Sequence, residues 1–405
     1  MNNILIVGAN FNNKGAQSML FVAVDEIYRR NPNARIYFGG IERWKSGKYT
    51  FDQVYYRDYN KAIAMNEFSH PWYITKSICK DIVKAVACKG NGIRELTALK
   101  KLMPSIDLVI DISGYNIGDK WNAETHENYF DNIRLAIKYH IPMILMPQSF
   151  GPFNYKANYK YLIEEAEELL SYPRIIFARE KKSIEYLQQK FNLSNIRLSS
   201  DMVLQNKTIS IKNILLTPSK IETPIIKINS VGIIPNSKTV SDENRSQIFK
   251  LYQTVIQMLL SNGKRIYILK HSLNDGPLCS QIYSSFSDVQ EVSYLNSNFS
   301  CLEYNEIVKQ FDFIICSRYH GAVNAYKNGI PSVLLGWADK YDELAECLNQ
   351  QKYCLNIRDS IDQNMVIYVV ELMLHNYLYE SSIIREKLKQ IQSKNCFDEI
   401  DEYLH

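Results

Sequence analysis

The chain has 405 residues, room for two or three domains, with 46% hydrophobic and 22% charged residues. That balance excludes a wholly disordered, collagen-like or coiled-coil chain. Lys and Arg number 47 against 43 Asp and Glu, too small an excess over this length to indicate a nucleic-acid partner. No apolar run reaches the roughly 18 residues needed to cross a bilayer. The opening Met1–Val7 reads as a strand and lacks the basic region, longer apolar stretch and cleavage site of a secretion signal, so a cytoplasmic location is expected. Eight cysteines are present, none in a Cys-x-x-Cys pair and none grouped with His at zinc spacing; they read as reduced thiols that pack.

Short apolar runs alternate with amphipathic stretches. Ile4–Gly8 is a strand ending in glycine, and Gly15–Arg30 repeats Ala16, Met19, Leu20, Ala23 and Ile27 at helical spacing before Asn31-Pro32 stops it. Strands are predicted at Arg35–Phe38, Asp107–Ile112, Ile141–Met146, Ile175–Ala178 and Ile196–Leu198, with helices at Asn158–Ser171 and Lys181–Phe191. Ile141–Met146 lacks alternation, as strands buried on both faces do. Residues 206–229 carry scattered Lys, Thr and Pro and read as a linker. Beyond it, strands fit Val231–Pro235, Arg265–Lys270, Val289–Tyr294, Phe311–Cys316 and Pro331–Leu335, and helices fit Asp242–Asn262, Glu303–Gln310, His320–Asn328 and Lys340–Gln350. Two helical stretches, Ile361–Tyr379 and Ser382–Ser393, close the chain. Two successive βαβ series imply an α/β protein of two doubly wound, Rossmann-like domains whose strand-end loops face one central cleft. The expected division is 1–205, a linker at 206–229, 230–380, and a C-terminal helical segment at 381–405.

Five strand-end loops collect polar residues there. Gly8–Gln17 offers Asn12, Gly15 and Gln17 beside a helix start that suits an anion, or is simply a turn and cap. Asp107–Asp119 places Asp111 and Asp119 where a carboxylate can act as base or orient a sugar hydroxyl, or cap the next helix. Met146–Pro152 carries Gln148 and Ser149 in hydrogen-bonding position, or forms a proline-bounded turn. Arg179 suits bidentate binding of carboxylate or phosphate, or pairs with Glu180. The sharpest is Ser317-Arg318-Tyr319-His320-Gly321, where a strand ends and a helix begins at once: the Arg318 fork beside a helix N-terminus favours an anion twice over. Asn236 and His271, at the ends of two further strands, are additional cleft candidates. Separately, Tyr73–Lys89 sets Ile74, Ile78, Ile82, Val83 and Val86 against Lys76, Lys80 and Lys84, a basic amphipathic pattern that suits an acidic membrane surface or a solvated helix face.

In this order the segments resemble the polysaccharide pyruvyl transferase family, from the opening loop to about Asp339. Cys316–Gly321 followed by Gly329-Ile330-Pro331 carries the resemblance, supported by Asn12–Gln17, Asp107–Asp119, Gln148–Pro152, Ala178–Glu180 and Ser200-Asp201. The resemblance implies a fold like that of B-type glycosyltransferases and transfer of pyruvate from phosphoenolpyruvate onto two hydroxyls of a sugar, giving a cyclic ketal. It implies that Arg318 and His320, flanked by Ser317 and Gly321, form the donor-binding Arg-x-His motif, with Arg179 as a second anion-binding arginine. The sequence departs from the family pattern at Ser113–Asn116, where many members carry a glycine run or an Asp, and at Met202-Val203 after Asp201.

The chemistry fits these residue types: phosphoenolpyruvate carries a carboxylate and a phosphate, its enol carbon must be protonated, and a histidine raised by the donor's charges suits that step. His320 is the expected acid, Arg318 with Arg179 the donor clamp, and Asp111 or Asp119 the base for a hydroxyl. No cofactor beyond the donor substrate is called for, and no metal-ligand cluster is apparent. The implied partner is a saccharide of a cell-surface polysaccharide precursor, with a lipid carrier and peripheral membrane contact compatible with Lys76–Lys84. Two rival readings share the fold: a nucleotide-sugar glycosyltransferase, with Glu303 or Glu306 holding the nucleotide, and a non-catalytic saccharide-binding protein.

Overall fold

The computed structural model describes residues 2–40, 47–56, 91–155, 161–357 and 361–405. The Tyr73–Lys89 pattern, Cys79, Cys88 and the expected helix start at Asn158 lie outside the described residues.

Two parallel sheets organise the chain. The first comprises β1 (Asn3–Val7), β2 (Arg35–Gly40), β3 (Asp52–Tyr55), β4 (Leu108–Asp111), β5 (Met143–Gln148), β6 (Ile175–Ala178) and β7 (Ile196–Leu198), in the order β3-β2-β1-β4-β5-β6-β7. The second comprises β8 (Ser230–Ile234), β9 (Arg265–Leu269), β10 (Val292–Leu295), β11 (Phe313–Cys316), β12 (Ser332–Gly336) and β13 (Cys354–Asn356), in the order β10-β9-β8-β11-β12-β13. Within each, strand order reverses between the first and fourth strands, β1/β4 and β8/β11. Reversal leaves a crevice at the carboxyl edge, where such sheets bind ligands.

The central strands are apolar because both faces are covered. Ile4 and Ile6 of β1 face one apolar cluster and Leu5 and Val7 another. The first of these clusters continues across the junction between lobes: Met19, Leu20 and Ala23 of the helix Lys14–Arg30 join Tyr304 and Ile307 of Cys301–Val308 and Ala322 and Val323 of Tyr319–Lys327. Backbone bonds also tie the lobes at the cleft. Asn13 pairs with Ser272 in an antiparallel bridge, Lys14 N donates to His271 O at 3.2 Å, and Leu273 N donates to Asn12 O at 3.2 Å.

Several elements escape the apolar-run reading. The helix Ala123–Lys138 buries charge: Arg134 pairs with Glu127, Asp131 and Glu165. Helices Asn91–Leu102 and Gly276–Ser284 and strands β3 and β13 also come without a sequence expectation. The expected linker is packed rather than loose: Asn206 bonds Glu26 and Lys327, and Ile214 and Ile226 are buried. The two expected C-terminal helices are one, Gln363–Ile391, so the expected break at 380/381 falls inside it. Its serines find partners that spare the ladder, Ser381 Oγ donating to Gly329 O and Ser382 Oγ to Tyr379 O. The chain then returns to the first lobe, where Cys396 N donates to Gln205 Oε1, Asn31 Nδ2 to Leu404 O, and Arg30 pairs with Asp398.

Candidate active site

The carboxyl edges of the two sheets enclose an inner chamber of about 270 Å3, floored by Gly8, Asn13 and Ala16 from the first loop and walled by Ser113–Asn116, Lys238, His271, Arg318–His320, Trp337, Lys340 and Tyr341. It joins an outer chamber of about 540 Å3 through Asn10, Asn116, Lys238 and Arg318, which line both.

Arg318 stands two residues beyond β11, at the N-cap of Tyr319–Lys327. Its Nε donates to Asp275 Oδ2 at 2.9 Å and Nη2 to Asp275 Oδ1, leaving Nη1 outside that fork. Asp275 is fully buried and also accepts from Ser237 N at 3.0 Å and Ser272 N at 2.9 Å, so both of its oxygens are shared with the loops and the guanidinium is held in one orientation. His320 lines the inner chamber with 12% of its side chain exposed. Its ring lies against Gly15: a Cβ there would stand 2.6 Å from Nδ1, so only glycine lets the helix start approach this closely. Nε2 lies 3.4 Å from Asp201 Oδ2 without a formed hydrogen bond. Burial pushes the His320 imidazolium pKa below its ordinary value; Asp201 opposes this, while Arg179 and Lys340 reinforce it. Burial works against the Asp201 charge, but His320 and Arg179 beside it hold the carboxyl down at about 2.

Arg179 is buried. Nε donates to Glu180 Oε1 at 2.9 Å and Ser149 Oγ at 3.0 Å, Nη1 donates to Asp201 Oδ2 at 3.0 Å, and the guanidinium stacks 4.2 Å from the Tyr319 ring. The pairing with Glu180 foreseen as its plain alternative is present, and Arg179 meets the inner chamber as part of a network rather than as an open fork.

The other expected residues divide sharply. Asn12 lines the outer chamber, and Asn236 and His271 line the inner one. His271 is 1% exposed and neither ring nitrogen has a partner; burial, Arg318, His320 and Lys14 push its pKa well down. Asn236 caps Ser237–Thr239 and donates to Ser317 O. Ser317 sits behind the wall, its Oγ 2.9 Å from Tyr252 Oη, and Gly321 is needed where a Cβ would meet Cys316 Sγ at 2.6 Å. Gln17 accepts from Cys301 N across the lobe junction. Gln148 is buried beneath the site, and Ser149 donates to Glu180. Asp111 is fully buried, accepts from Ser113 N and Asn132 Nδ2, and has its pKa pushed up to about 6 by burial. Neither Asp111 nor Asp119 lines either chamber. Asp111 is sealed away from solvent and Asp119 stands outside both spaces, so the structure does not bring either expected base to the chambers. Glu303 and Glu306 are likewise elsewhere, closing a capping box with Ser300 and pairing with Lys309.

Sequence reasoning missed Lys238 and Lys340. Lys238 follows β8 and sits 4.2 Å over the Trp121 ring; burial and Arg318 lower its pKa. Lys340 follows β12, and its Nζ lies within about 6 Å of the Tyr115, Tyr319, Trp337 and Tyr341 rings. Both were findable by topology, since each stands one loop beyond a central strand. Among the described residues, no Asp or Glu lines either chamber, and no His/Cys/Asp/Glu group is arranged to hold a metal.

Two facing doubly wound lobes with a cation-lined cleft define a GT-B-like α/β protein. Solved structures agree on the fold. A UDP-N-acetylglucosamine 2-epimerase from Listeria monocytogenes, described as putative, matches with TM-score 0.57 and 11% identity over 94% of this chain and 90% of its own. The Neisseria meningitidis UDP-GlcNAc 2-epimerase bound to UDP-GlcNAc gives 0.55 and 13% over 95% and 94%. The S. aureus MnaA–UDP structure gives 0.55 and 10% over 95% and 91%. At such identities the likeness concerns fold alone. No curated protein matches the chain. The model of the polysaccharide pyruvyl transferase family matches residues 13–339, and the chain belongs to that family. Its activity is accordingly pyruvyl transfer to a polysaccharide, with phosphoenolpyruvate as a donor substrate rather than a bound cofactor. No described helix is long and apolar enough to cross a membrane.

Proposed function

We propose that the inner chamber holds phosphoenolpyruvate and the outer chamber the saccharide diol, with Arg318 at their junction and His320 on the inner wall. One observation carries this reading: Arg318, Lys238, Lys340 and two histidines converge on a space that, among the described residues, is lined by no carboxylate and opens onto a chamber walled by seven asparagines. A donor bearing a carboxylate and a phosphate matches the first, and neutral amides that both donate and accept match a polyol in the second.

Arg318 Nη1, outside the Asp275 fork, is the group available to the donor carboxylate. Burial disfavours the His320 imidazolium, and an arriving anion opposes that penalty and favours the protonated ring. That ring then protonates the enol carbon, the first hydroxyl adds to C2, phosphate departs, and the second hydroxyl closes the ketal. Two hydroxyl protons are released; one balances the proton now on the methyl group and the other leaves with phosphate. Arg179 orients Asp201, and through it His320, rather than clamping the donor. The acceptor is a saccharide of a cell-surface polysaccharide precursor, and a lipid-carried form fits an outer chamber that reaches the surface at Leu273 and Asn274.

Thermal unfolding with phosphoenolpyruvate tests the donor assignment. A ligand at a hundred times its Kd adds about 2.7 kcal/mol to the native form. The wild type is expected to shift and Arg318→Ala not to; a shift only with nucleotide sugars would replace this reading by glycosyl transfer.

A further inference from the structure

The loop beyond β4 carries an aromatic shelf on which the two lobes meet. Tyr115 and Trp121 stand edge to face with ring centroids 5.5 Å apart. From the second lobe, Lys238 sits 4.2 Å over the Trp121 ring and Lys340 sits 4.8 Å over the Tyr115 ring. The same loop lines the inner chamber with Ser113–Asn116 and Trp121, and the outer one with Ser113 and Asn116. Its other side is stitched to the loop beyond β5. Ser149 N donates to Gly114 O at 2.8 Å, Gly151 N to Ile117 O at 3.0 Å, Asp119 N to Pro152 O at 2.7 Å, and Tyr115 Oη to Gly151 O at 2.9 Å. A Cβ at Gly118 would stand 2.7 Å from Gly151 O, so the two loops lie as close as glycine permits.

One buried side chain holds both loops from behind. His126, in the first turn of Ala123–Lys138, is 1% exposed. Its Nδ1 stands 2.9 Å from Asn122 O, and a carbonyl only accepts, so Nδ1 carries the proton. Nε2 keeps its lone pair, which accepts from Gly118 N at 3.2 Å in the first loop and from Tyr155 Oη in the second. We propose that His126 is a positioning residue of the transfer: its neutral, Nδ1-protonated ring is the acceptor that fixes the aromatic shelf of the first lobe against the cations of the second. A proton on Nε2 would fill that lone pair and set one N–H against the Gly118 N–H, so the hold on the shelf is lost in acid. Burial lowers the His126 imidazolium pKa from its ordinary 6.5, while the Asn122 carbonyl and Glu127 oppose. The fold therefore favours the neutral ring, and the contact is complete above pH 6.5 and lost as pH falls below it. Among the described residues, the titratable groups around the ring are Tyr155 beyond β5, Asp119 and Tyr115 near that phenol, and Glu127 with its partner Arg134 on the same helix. This role does not depend on which substrate fills which chamber.

Two substitutions separate the acceptor from the bulk of the ring. Glutamine can set an amide oxygen where Nε2 stands and does not titrate, whereas phenylalanine keeps a ring and offers no acceptor. The emission of Trp121, taken as the difference between each protein and its Trp121→Phe counterpart, reads the shelf without any ligand. In the wild type it is expected to change between pH 7.5 and 5 and to recover on neutralisation. In His126→Gln it is expected to stay level, and in His126→Phe to show the acid signal already at pH 7.5. Turnover follows the same order: the wild type should lose activity in acid relative to His126→Gln, and His126→Phe should lose up to about 100-fold at pH 7.5, the cost of a misplacement of about 1 Å. An acid change in Trp121 emission as large in His126→Gln as in the wild type, or level emission in both, overturns the proposal. Parallel pH profiles of turnover for those two proteins overturn its part in the reaction. If His126→Phe does not fold, the comparison of wild type with His126→Gln decides alone. Wild-type protein that ignores phosphoenolpyruvate overturns the donor assignment and leaves the emission result untouched.

Discussion

The two sheet edges that meet at the cleft carry opposite chemistry. The first lobe presents Asn10, Asn12, Asn13, Asn116, Asn128 and Asn132 with one cation, the network-bound Arg179, while the second presents Lys238, His271, Arg318, His320 and Lys340 beside Asn236 and Asn274. Both lobes have the same doubly wound strand order, so the difference owes nothing to architecture. It lies in the loops, as expected where one scaffold must hold a polyol and a polyanion side by side. Reaction then depends on bringing two unlike surfaces into register, and the contact most responsible is Gly15 against His320.

Gly15→Ala is the strongest way to break that register. The added Cβ would enter the space of the His320 ring, so ring or helix start must shift. Misplacement of about 1 Å costs on the order of 100-fold in rate, and kcat is expected to fall by that much while the Arg318-dependent shift with phosphoenolpyruvate persists. A smaller effect is expected from Asn128→Ala, since Asn128 lines the outer chamber and not the inner one. Loss of one amide contact to a hydroxyl corresponds to about 0.5–1.5 kcal/mol, so KM for the saccharide should rise roughly 3–10-fold with KM for the donor unchanged. Equal increases in both would mean that the chambers are not divided as described.

The smallest effect on turnover is expected from Asp111→Asn, within about threefold of wild type, because the side chain is sealed beneath the floor. Stability should show it instead. A carboxyl raised from 3.8 to about 6 by burial favours the fold when protonated. That contribution is complete below pH 4 and lost as pH rises through 6, about 3 kcal/mol in all. Denaturant titrations from pH 4 to 8 should show the Asp111→Asn variant gaining on the wild type as pH rises.

The fold was legible because both-face-buried strands leave unbroken apolar runs, as at Ile4–Val7 and Phe313–Cys316. Elements whose buried face is charged were not: Ala123–Lys138 hides Arg134, Glu127 and Asp131 on the side where aliphatics are sought. In the site, Arg318 and His320 stood out because strand end, cation and helix start coincide in five residues. Their partners did not. Asp275 and Asp201 are 43 and 119 positions away along the chain, and no local spacing reveals a pair that forms only when strands β9 and β11, or both lobes, come together. Asp111 misled for the complementary reason, since a strand-end carboxylate looks alike whether it faces the cleft or the core.

The small backbone ladder joining Asn12–Lys14 to His271–Leu273 sets how the cleft can breathe. Each of its bonds contributes only about 1 kcal/mol, because water takes the vacated place when it parts. The apolar cluster shared by Lys14–Arg30, Cys301–Val308 and Tyr319–Lys327 has no such substitute partner. The ladder at the floor of the cleft is thus a latch, the contact between lobes that parts at least cost, and the cluster is the pin that keeps the lobes mounted on one axle.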